Sequence, residues 1–528
     1  MRLASPWLLR LAALCAGLAA ALAHPPFGLL PGLLGYGVMM RLVETGGPRP
    51  LRSAFLRGWL AGLGYFSLSV WWVAEAFLVD AEVYGWMAPF ALVLLAGGLA
   101  LFWGAAGVAY RALSPGGVTR VLVFAGILAA VEWARGHVFT GFPWNLPGET
   151  WRAGSAPSQA ASLMGAYGLT WITVAIAAAP AIAFDATPRM RRVIAVAAAA
   201  FALVGLVGFG AWRLDRAAPT PPGAARVRVV QADIDQKEKW KPENLDLIFA
   251  TYEALSQAPA ERAPDVVIWP EGALPVVIDD FLAPGSPYVG RIQAMLRPGQ
   301  TLMLGANRAG LAADGRYDYF NSLIALRNTD PGLQVTAVYD KYRLVPFGEF
   351  MPLGELATKI GFRSLVHMPE DFTAGPPPRP ISPQGLPPLQ PLICYEALFP
   401  GFTAHAAERS GVRPRWILNV SNDAWFGATS GPKQHLNLAS YRAIEEGLPM
   451  VRATPTGVSA VIDAYGRPVA DHVLKSGALG VVDADLPAPL SKTTYARFGD
   501  AIFAFMLILS GATSVLERLR RARVPENL

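Results

Sequence analysis

The chain has 528 residues, of which 53% are hydrophobic and only 16% are charged. Roughly a quarter of the residues of a typical soluble protein are charged, so this composition excludes an ordinary soluble enzyme and predicts a membrane protein of two or more units. The net charge of +6 does not indicate a nucleic-acid partner, because the arginines lie beside apolar runs and form no single basic patch.

Apolar runs predict eight membrane helices, seven of which form a membrane domain over residues 1–215. A helix needs about 20 apolar residues to cross the hydrocarbon core, and the second and fifth runs are shorter than that. The eighth helix lies within residues 499–518 and is followed by a tail over residues 519–528. The runs cover residues 6–23, 27–40, 55–78, 86–109, 121–134, 164–184, 193–212 and 501–516.

Basic residues occupy every second loop between these runs, and Asp80 and Glu82 lie in one of the other loops. Basic loops stay on the cytoplasmic side of a membrane. The pattern therefore predicts a multi-pass membrane protein with both termini in the cytoplasm and residues 215–498 on the far side, which is the periplasm of the inner membrane if the cell is a diderm bacterium. A cleaved signal peptide is the alternative for the first run, but its removal would break the alternation of charge.

A soluble α/β domain is predicted over residues 220–495, after the Pro-rich linker at 219–223. Short β-like runs alternate there with helical patterns, such as those at 244–258 and 434–446, which is typical of a layered α/β domain. The runs at 321–327 and 335–340 have the character of a paired set. The β-like runs cover residues 225–231, 265–269, 301–305, 321–327, 335–340, 416–420 and 458–464.

The segment 392–396 has the pattern of a strand that ends at a thiol, Cys394. The chain contains two cysteines, and Cys15 lies inside the first apolar run, where a small packed thiol is the simplest interpretation. Cys394 therefore has no expected disulfide partner, and an unpaired cysteine on the outer side of a membrane indicates a reactive thiol. A thiol attacks as its thiolate and needs a nearby base, so Cys394 is a candidate nucleophile.

Two charged residues at strand ends are candidate partners of this thiol. Glu271 follows a short apolar strand at a Pro-Glu-Gly turn and could accept the proton of the thiol. Lys341 follows another strand and could stabilise an oxyanion. A single Glu or Lys at a strand end is usually a solvated charge, so it is the combination with Cys394 that favours chemistry.

These residues occur in segments that resemble a known superfamily. Residues 269–271, 341–349 and 393–396 resemble, in the same chain order, the Glu-Lys-Cys catalytic segments of the nitrilase (carbon–nitrogen hydrolase) superfamily. The resemblance covers residues 227–486. It implies that the soluble domain folds as an α-β-β-α sandwich of the nitrilase type.

Together with the eight membrane helices, the chain resembles one branch of that superfamily, the apolipoprotein N-acyltransferases. Residues 132–145, 231–240 and 419–426 also match this branch. From the residues alone, the aromatic segment at 132–145 is either an interfacial belt or a structured loop that lines a lipid-facing site.

The resemblance implies a role for each matching residue. Glu271 is expected to be the general base, Lys341 the stabiliser of the oxyanion, and Cys394 the nucleophile. The backbone N–H of Tyr395 is expected to join Lys341 in the oxyanion hole, and Glu349 is expected to orient Lys341 or Glu271.

Several further residues are weaker candidates. Glu396 and Trp240 match positions that matter in the family, although plain packing is nearly as good an interpretation of Trp240. A structural role is favoured for His435 over a supporting role at the site. The tentative substrate contacts are Trp240, Asn307, Asn422 and Trp425.

The implied activity is transfer of a fatty-acyl chain from a phospholipid, through a thioester on Cys394, to the α-amine of diacylglyceryl-cysteine on an apolipoprotein. No metal and no cofactor are expected, and a monomer is sufficient. Residues 347–366 are rich in apolar side chains and form either a mobile arm at the membrane interface or an amphipathic helix packed on the domain.

Two other functions compete with this interpretation. A membrane-tethered amidase or nitrilase would use the same three residues and differ only in that water resolves the intermediate. A transporter or scaffold would draw its support from Glu75 and Glu132 in the membrane domain. The membrane helices disfavour the first alternative, and the complete set of Glu271, Lys341 and Cys394 disfavours the second.

Overall fold

A computed structural model describes residues 5–46, 48–217, 219–312, 315–352, 354 and 371–522. The chain divides into two compact units. The first unit comprises Met1–Ala217, Thr429–Glu445 and Lys492–Leu528, and the second comprises Ala218–Ala428 and Glu446–Ser491. Most of the apolar segment predicted at 347–366 lies outside the described residues.

The α-helices of the described residues are α1 (Pro6–Leu22), α2 (Leu34–Glu44), α3 (Pro50–Ser69), α4 (Val73–Ala76), α5 (Ala81–Tyr84), α6 (Ala88–Leu113), α7 (Arg120–Arg135), α8 (Ala161–Ala178), α9 (Arg189–Asp215), α10 (Gln236–Lys239), α11 (Leu245–Ser256), α12 (Ile278–Phe281), α13 (Pro287–Met295), α14 (Phe402–Ser410), α15 (Gly431–Glu446), α16 (Thr494–Phe498) and α17 (Ala501–Ala522). Their strands are β1 (Arg226–Gln231), β2 (Val266–Trp269), β3 (Thr301–Leu311), β4 (Tyr317–Thr329), β5 (Gly332–Asp340), β6 (Leu389–Ile393), β7 (Trp416–Val420), β8 (Met450–Ala453), β9 (Ser459–Ile462), β10 (Pro468–Leu474) and β11 (Gly480–Asp485).

Four helical stretches of the described chain are long and apolar enough to cross a membrane, namely Ala81–Leu113, Pro157–Phe184, Arg189–Asp215 and Ala501–Arg520. Four of the predicted spans fall on them. The other four fall on α1, α2, α3 and α7, which are shorter or less apolar, so the count of eight spans stays a prediction. The second predicted span is α-helical only from Leu34, after the 3-10 helix Leu30–Leu33, and Gly28 before it has a left-handed φ of 64°.

Glycines set the spacing of three helices in the first unit. A Cβ atom on Gly17 of α1 would lie 1.8 Å from the carbonyl oxygen of Ala61 in α3. A Cβ on Gly58 of α3 would lie 2.4 Å from the carbonyl oxygen of Trp103 in α6. Small residues at helix contacts let backbones approach closely, which is how helices associate in a membrane.

Helix α15 also belongs to the first unit, although residues of the second unit precede and follow it in the chain. Asn437 donates to the carbonyl of Glu149 at 2.9 Å and accepts from the N–H of Ala153 at 2.8 Å. The Tyr441 hydroxyl donates to the carbonyl of Trp151 at 2.6 Å. These hydrogen bonds satisfy the backbone of the buried loop that precedes α8.

The second unit contains two β-sheets. The six-stranded sheet has the order β11-β1-β2-β3-β4-β5, and the five-stranded sheet has the order β10-β9-β8-β7-β6. Strands β1, β2 and β3 are parallel, as are β6, β7 and β8. The predicted pair at 321–327 and 335–340 is confirmed, because β4 and β5 are antiparallel neighbours.

The two sheets pack face to face through an apolar core. Buried residues of the first sheet, such as Val229 and Ile268, share one cluster with Ile393, Leu418 and Val451 of the second. On its other face the six-stranded sheet packs against α11 and α13, which contribute a second cluster. The predicted layered α/β domain is therefore confirmed.

Arg228 of β1 is the buried charge that joins the edge of the first sheet to α11. Its guanidinium donates to both carboxylate oxygens of Asp483 in β11, at 2.8 and 2.7 Å, and to the carbonyl of Ser256 at 2.8 Å. Arg228 is 1% exposed. A buried charge that loses its partner is strongly destabilising.

We expect Asp483→Ala to lower the free energy of unfolding by about 3 kcal/mol, because it leaves this guanidinium without its counter-charge. Asp485→Ala is the matched control on the same strand. Its pairs with Arg226 and Arg262 are partly exposed, and such pairs contribute about 1 kcal/mol or less. Thermal unfolding of the purified full-length variants measures the difference, and equal shifts for both variants would contradict the assignment.

Candidate active site

The three predicted catalytic residues converge at the ends of three strands in the second unit. Glu271 lies two residues after β2, Lys341 directly follows β5, and Cys394 directly follows β6. Lys341 Nζ lies 3.3 Å from Glu271 Oε1, and the Cys394 thiol lies within the electrostatic field of both. The arrangement places a thiol, a carboxylate and an ammonium in one cluster.

Cys394 occupies a strained turn. Its φ is 49°, in the left-handed region, where β6 gives way to the 3-10 helix Cys394–Leu398. Such a conformation costs a residue with a side chain about 1–3 kcal/mol and persists only where the surrounding structure enforces it. Cys394 as a residue is half-buried at this turn.

Lys341 lies between two carboxylates. Its ammonium donates to Glu349 Oε1 at 2.9 Å and to Glu271 Oε1 at 3.3 Å, and its side chain is 1% exposed. Burial lowers the pKa of Lys341, but the charges of Glu271 and Glu349 outweigh this effect and raise the pKa above its ordinary value. Lys341 therefore keeps its positive charge and can stabilise an oxyanion.

Asn321 of β4 is a member of this cluster that sequence reasoning missed. Its amide nitrogen donates to Glu271 Oε1 at 2.7 Å and to Glu349 Oε1 at 2.8 Å. Two carboxylates can approach each other only if donors lie between them, and Asn321 and Lys341 supply those donors. The one feature of the sequence that could have indicated Asn321 is that an asparagine lies within or just after each of two predicted apolar strands. In the sheet, Asn321 lies opposite the other one, Asn307 of β3.

Glu271 is fixed from two further directions. Its Oε2 accepts a hydrogen bond from the backbone N–H of Asn422 at 2.6 Å. Its backbone lies directly against β3, where a Cβ atom on Gly305 would come within 2.6 Å of Glu271 Cα and 2.5 Å of the Pro270 carbonyl oxygen. Gly305 is therefore needed for the position of the candidate base.

The Cys394 thiol is held in its protonated form. Burial and the negative charge of Glu271 raise its pKa to about 12, although Lys341 and a hydrogen bond with the Ser421 side chain lower it. A thiolate is therefore rare at neutral pH. The proton must leave as the sulfur attacks, which calls for a general base rather than a preformed thiolate.

Glu396 supports the turn that carries Cys394. It is fully buried, and its carboxylate accepts hydrogen bonds from the backbone N–H groups of Ile393 and Tyr342, both at 2.8 Å, and from the Tyr339 hydroxyl at 2.9 Å. Burial raises the pKa of Glu396 to about 7, although these donors and Lys341 act in the opposite direction. One side chain thus connects the segments that carry Lys341 and Cys394.

The remaining predicted residues take different positions. Tyr395 is buried with its ring against Phe399, and Trp425 lies in the 3-10 helix Asp423–Phe426. Trp240 caps α10 and is half-buried. His435 is buried in the first unit, 5.6 Å from the ring centre of Trp144.

Lys239 is a second buried lysine that the sequence did not single out. Its ammonium lies 5.5 Å from the ring centre of Trp240, and a Cβ on Gly272 would come within 3.3 Å of it. Burial lowers the pKa of Lys239 to about 8, against the opposite effect of the charge of Glu271. The Lys239 ammonium thus lies next to the turn that carries Glu271.

The aromatic segment at 132–145, in the first unit, comprises the end of α7 and the loop that follows it. Arg135 and Glu132 are both buried and form an ion pair, and Arg135 also donates to the Trp144 carbonyl at 3.1 Å. Phe139 is 88% exposed at the tip. The hydrogen bonds from Arg135 to the carbonyls of Phe142 and Trp144 hold the loop after α7 in a defined conformation, which favours the structured-loop interpretation over a plain interfacial belt.

Two family models match the chain. The model described as the apolipoprotein N-acyltransferase N-terminal domain matches residues 16–179. The model described as carbon-nitrogen hydrolase matches residues 226–495. A relative from Caulobacter vibrioides named apolipoprotein N-acyltransferase is 54% identical over 97% of this chain and 96% of its own length.

The chain belongs to the apolipoprotein N-acyltransferase family. Two further relatives with that name support the assignment. The one from Bradyrhizobium diazoefficiens is 39% identical, over 98% of this chain and 96% of its own. The one from Brucella melitensis biotype 1 is 37% identical, over 92% and 90%.

Membership of this family confirms the acyltransferase class predicted from the sequence, and the apolar helices agree with residence in a membrane. Membership of the family does not favour the alternative of a membrane-tethered hydrolase.

We expect Gly305→Ala to slow acyl transfer roughly 100-fold, because a misplacement of about 1 Å at a reacting group is enough for such a loss. The added methyl group must displace the Glu271 backbone. Gly310→Ala, at the outer end of the same strand, is the control, since its methyl group would meet only the Phe320 and Arg308 side chains. Turnover of a p-nitrophenyl acyl ester by the two purified variants measures the effect, and a normal rate for Gly305→Ala would disprove the packing argument.

Proposed function

We propose that this acyltransferase moves a fatty-acyl chain from a membrane phospholipid to the N-terminal α-amine of diacylglyceryl-cysteine on apolipoproteins, the final step of bacterial lipoprotein maturation. The acyl chain travels through a thioester on Cys394. The observation that carries the proposal is the cluster of Cys394, Glu271 and Lys341, in a chain whose relatives are named apolipoprotein N-acyltransferase over nearly their full length.

In the first step, Glu271 accepts the proton of the Cys394 thiol while the sulfur attacks an ester carbonyl of the phospholipid. The Lys341 ammonium and the backbone N–H of Tyr395 stabilise the negative charge that develops on the carbonyl oxygen. Collapse of this intermediate breaks the ester C–O bond. Glu271 returns the proton to the leaving oxygen, which gives a lysophospholipid and the acyl-Cys394 thioester.

In the second step, the neutral α-amine of the diacylglyceryl-cysteine attacks the thioester carbonyl. Glu271 accepts a proton from the amine, Lys341 again stabilises the oxyanion, and the C–S bond breaks. The sulfur recovers its proton from Glu271, so that the enzyme returns to its starting state. An ester and an amine have become an alcohol and an amide.

The buried surroundings favour this use of Glu271. Hydrogen bonds from Asn321, Lys341 and the Asn422 N–H hold the carboxylate in place before substrate binds, so little reorganisation is needed when charge develops. The high pKa of the Cys394 thiol, about 12, makes the base essential, because little thiolate forms without it.

The proposed location follows from the two substrates, both of which are anchored in the bilayer. Residues 1–215 would form the membrane domain and residues 220–495 the catalytic domain, on the periplasmic side of the inner membrane, with both termini in the cytoplasm. Tethering the active site to the membrane replaces a search through solution by proximity at the bilayer surface. A monomer is sufficient for this chemistry.

The proposal is tested by supplying the purified protein with phosphatidylethanolamine and a diacylglyceryl peptide that has a free N-terminal amine. We expect N-acylated peptide and lysophospholipid in equal amounts. Cys394→Ala should abolish both products, whereas Cys15→Ala should retain them, since Cys15 lies in α1.

An N-acetylated peptide is the matched control acceptor, because it has no amine to attack the thioester and should give no amide product. Release of free fatty acid in place of N-acylated peptide would identify a hydrolase and overturn the proposal.

A further inference from the structure

We propose that Ser421 is a further catalytic residue, whose hydroxyl donates a hydrogen bond to the sulfur of Cys394 when the thiol loses its proton. Asp423 and Arg452 act as positioning residues for this hydroxyl. The inference rests on the proposed function, because it assumes that Cys394 is the nucleophile. It adds a group that acts on the sulfur, separate from the base and from the oxyanion hole.

Strand register brings Ser421 to the thiol. Strands β6 and β7 are parallel neighbours, and Ile393 lies opposite Val420 at their ends. The next residue of each strand is Cys394 and Ser421, respectively, so the two side chains emerge at the same edge of the sheet. Against the larger effect of burial, a hydrogen bond with the Ser421 side chain lowers the pKa of the Cys394 thiol, and Ser421 is fully buried.

The other contact of the hydroxyl is with Asp423. Ser421 Oγ donates to Asp423 Oδ1 at 2.8 Å, which uses the one proton that a serine hydroxyl has. Toward the protonated thiol, Ser421 therefore offers a lone pair and accepts the S–H. The resting arrangement is a chain of hydrogen bonds from Cys394 through Ser421 to Asp423.

Arg452 of β8 stabilises Asp423 when the Ser421 hydroxyl no longer donates to it. Its guanidinium donates to Asp423 Oδ1 at 2.9 Å and to Oδ2 at 2.8 Å, and both side chains are fully buried. Asp423 thus keeps two charge-assisted hydrogen bonds when the Ser421 proton turns away. A Cβ on Gly457 would come within 2.4 Å of Asp423 Oδ2, so the carboxylate fits only because residue 457 is glycine.

The proton count balances during attack. The S–H proton goes to Glu271, and the Ser421 hydroxyl rotates its own proton from Asp423 to the anionic sulfur. When the thioester forms, the sulfur becomes a poor acceptor and the hydroxyl proton returns to Asp423. Only Cys394, which loses its proton, and Glu271, which accepts it, change their protonation states; the Ser421 hydroxyl keeps its proton and only reorients it toward the anionic sulfur.

Three charged groups act on the sulfur, and a fourth neutralises one of them. Glu271 follows β2 and Lys341 follows β5, and these set the balance of charge from the six-stranded sheet. Asp423, in the 3-10 helix after β7, adds a negative charge, and Arg452 of β8 neutralises it. Removing the Ser421 donor should therefore disfavour the thiolate, whereas removing the Asp423 charge should favour it.

The test measures alkylation of Cys394 by iodoacetamide across pH in full-length protein that carries Cys15→Ala, so that a single thiol remains. We expect Ser421→Ala to move the pH profile upward by about one unit and to slow alkylation about tenfold at a fixed pH, since it removes one hydrogen bond to a charged group. Ser421→Thr keeps the hydroxyl and should restore the parent profile.

Ser459→Ala is the matched control for the loss of a buried hydroxyl, since Ser459 is fully buried in β9 and bonds to Gln231 and Thr454 instead of the thiol. It should leave the profile unchanged. Asp423→Asn should move the profile in the opposite direction to Ser421→Ala, and it keeps the proposal testable if Ser421→Ala does not fold.

An unchanged profile in Ser421→Ala, equal shifts in Ser421→Ala and Ser459→Ala, or an upward shift in Asp423→Asn would overturn the inference. Failure of the proposed function is a separate result, because the alkylation assay needs no phospholipid or peptide. If the parent protein forms no N-acylated peptide, that function fails whatever the alkylation profile is.

Discussion

A lysine ammonium held between two carboxylates is the interaction on which the catalytic unit depends. Lys341 is buried, yet it stays charged because Glu271 and Glu349 lie at hydrogen-bond distance. The same ammonium lets the two carboxylates share one pocket, together with the Asn321 amide. Removal of any one of these groups would leave a buried charge or a buried acceptor uncompensated. The segments that follow β2 and β5 are thereby fixed relative to each other.

This balance of charge explains why the nucleophile is a thiol rather than a preformed thiolate. Burial and then the negative charge of Glu271 raise the pKa of Cys394 to about 12, against the opposite effect of Lys341. An anionic sulfur beside Glu271 would be unstable without substrate, so attack and proton transfer are coupled. The left-handed turn at Cys394 and the buried carboxylate of Glu396 hold the sulfur ready for that step. Backbone strain and electrostatics thus act on the same residue.

The site residues that follow strand ends could be predicted from the sequence. Glu271, Lys341 and Cys394 each come after a short apolar run, and the resemblance of their segments to one superfamily supplied their order. Asn321 could not be found in this way, because an asparagine in a strand looks the same whether it contacts solvent or two carboxylates. Ser421 depends on the pairing of β6 with β7, and register is a property of the folded sheet. The start of α2 at Leu34 was missed because an apolar run does not show where helical backbone begins.

The central claim is that Cys394 carries the acyl chain, and trapping that intermediate tests it most directly. The purified protein is incubated with phospholipid alone, without any amine acceptor, and its mass is measured intact and after digestion. The account predicts one added acyl chain per molecule, on the peptide that contains Cys394, removable by neutral hydroxylamine and absent from Cys394→Ala. An acyl chain on another residue, or normal transfer by Cys394→Ala, would contradict it.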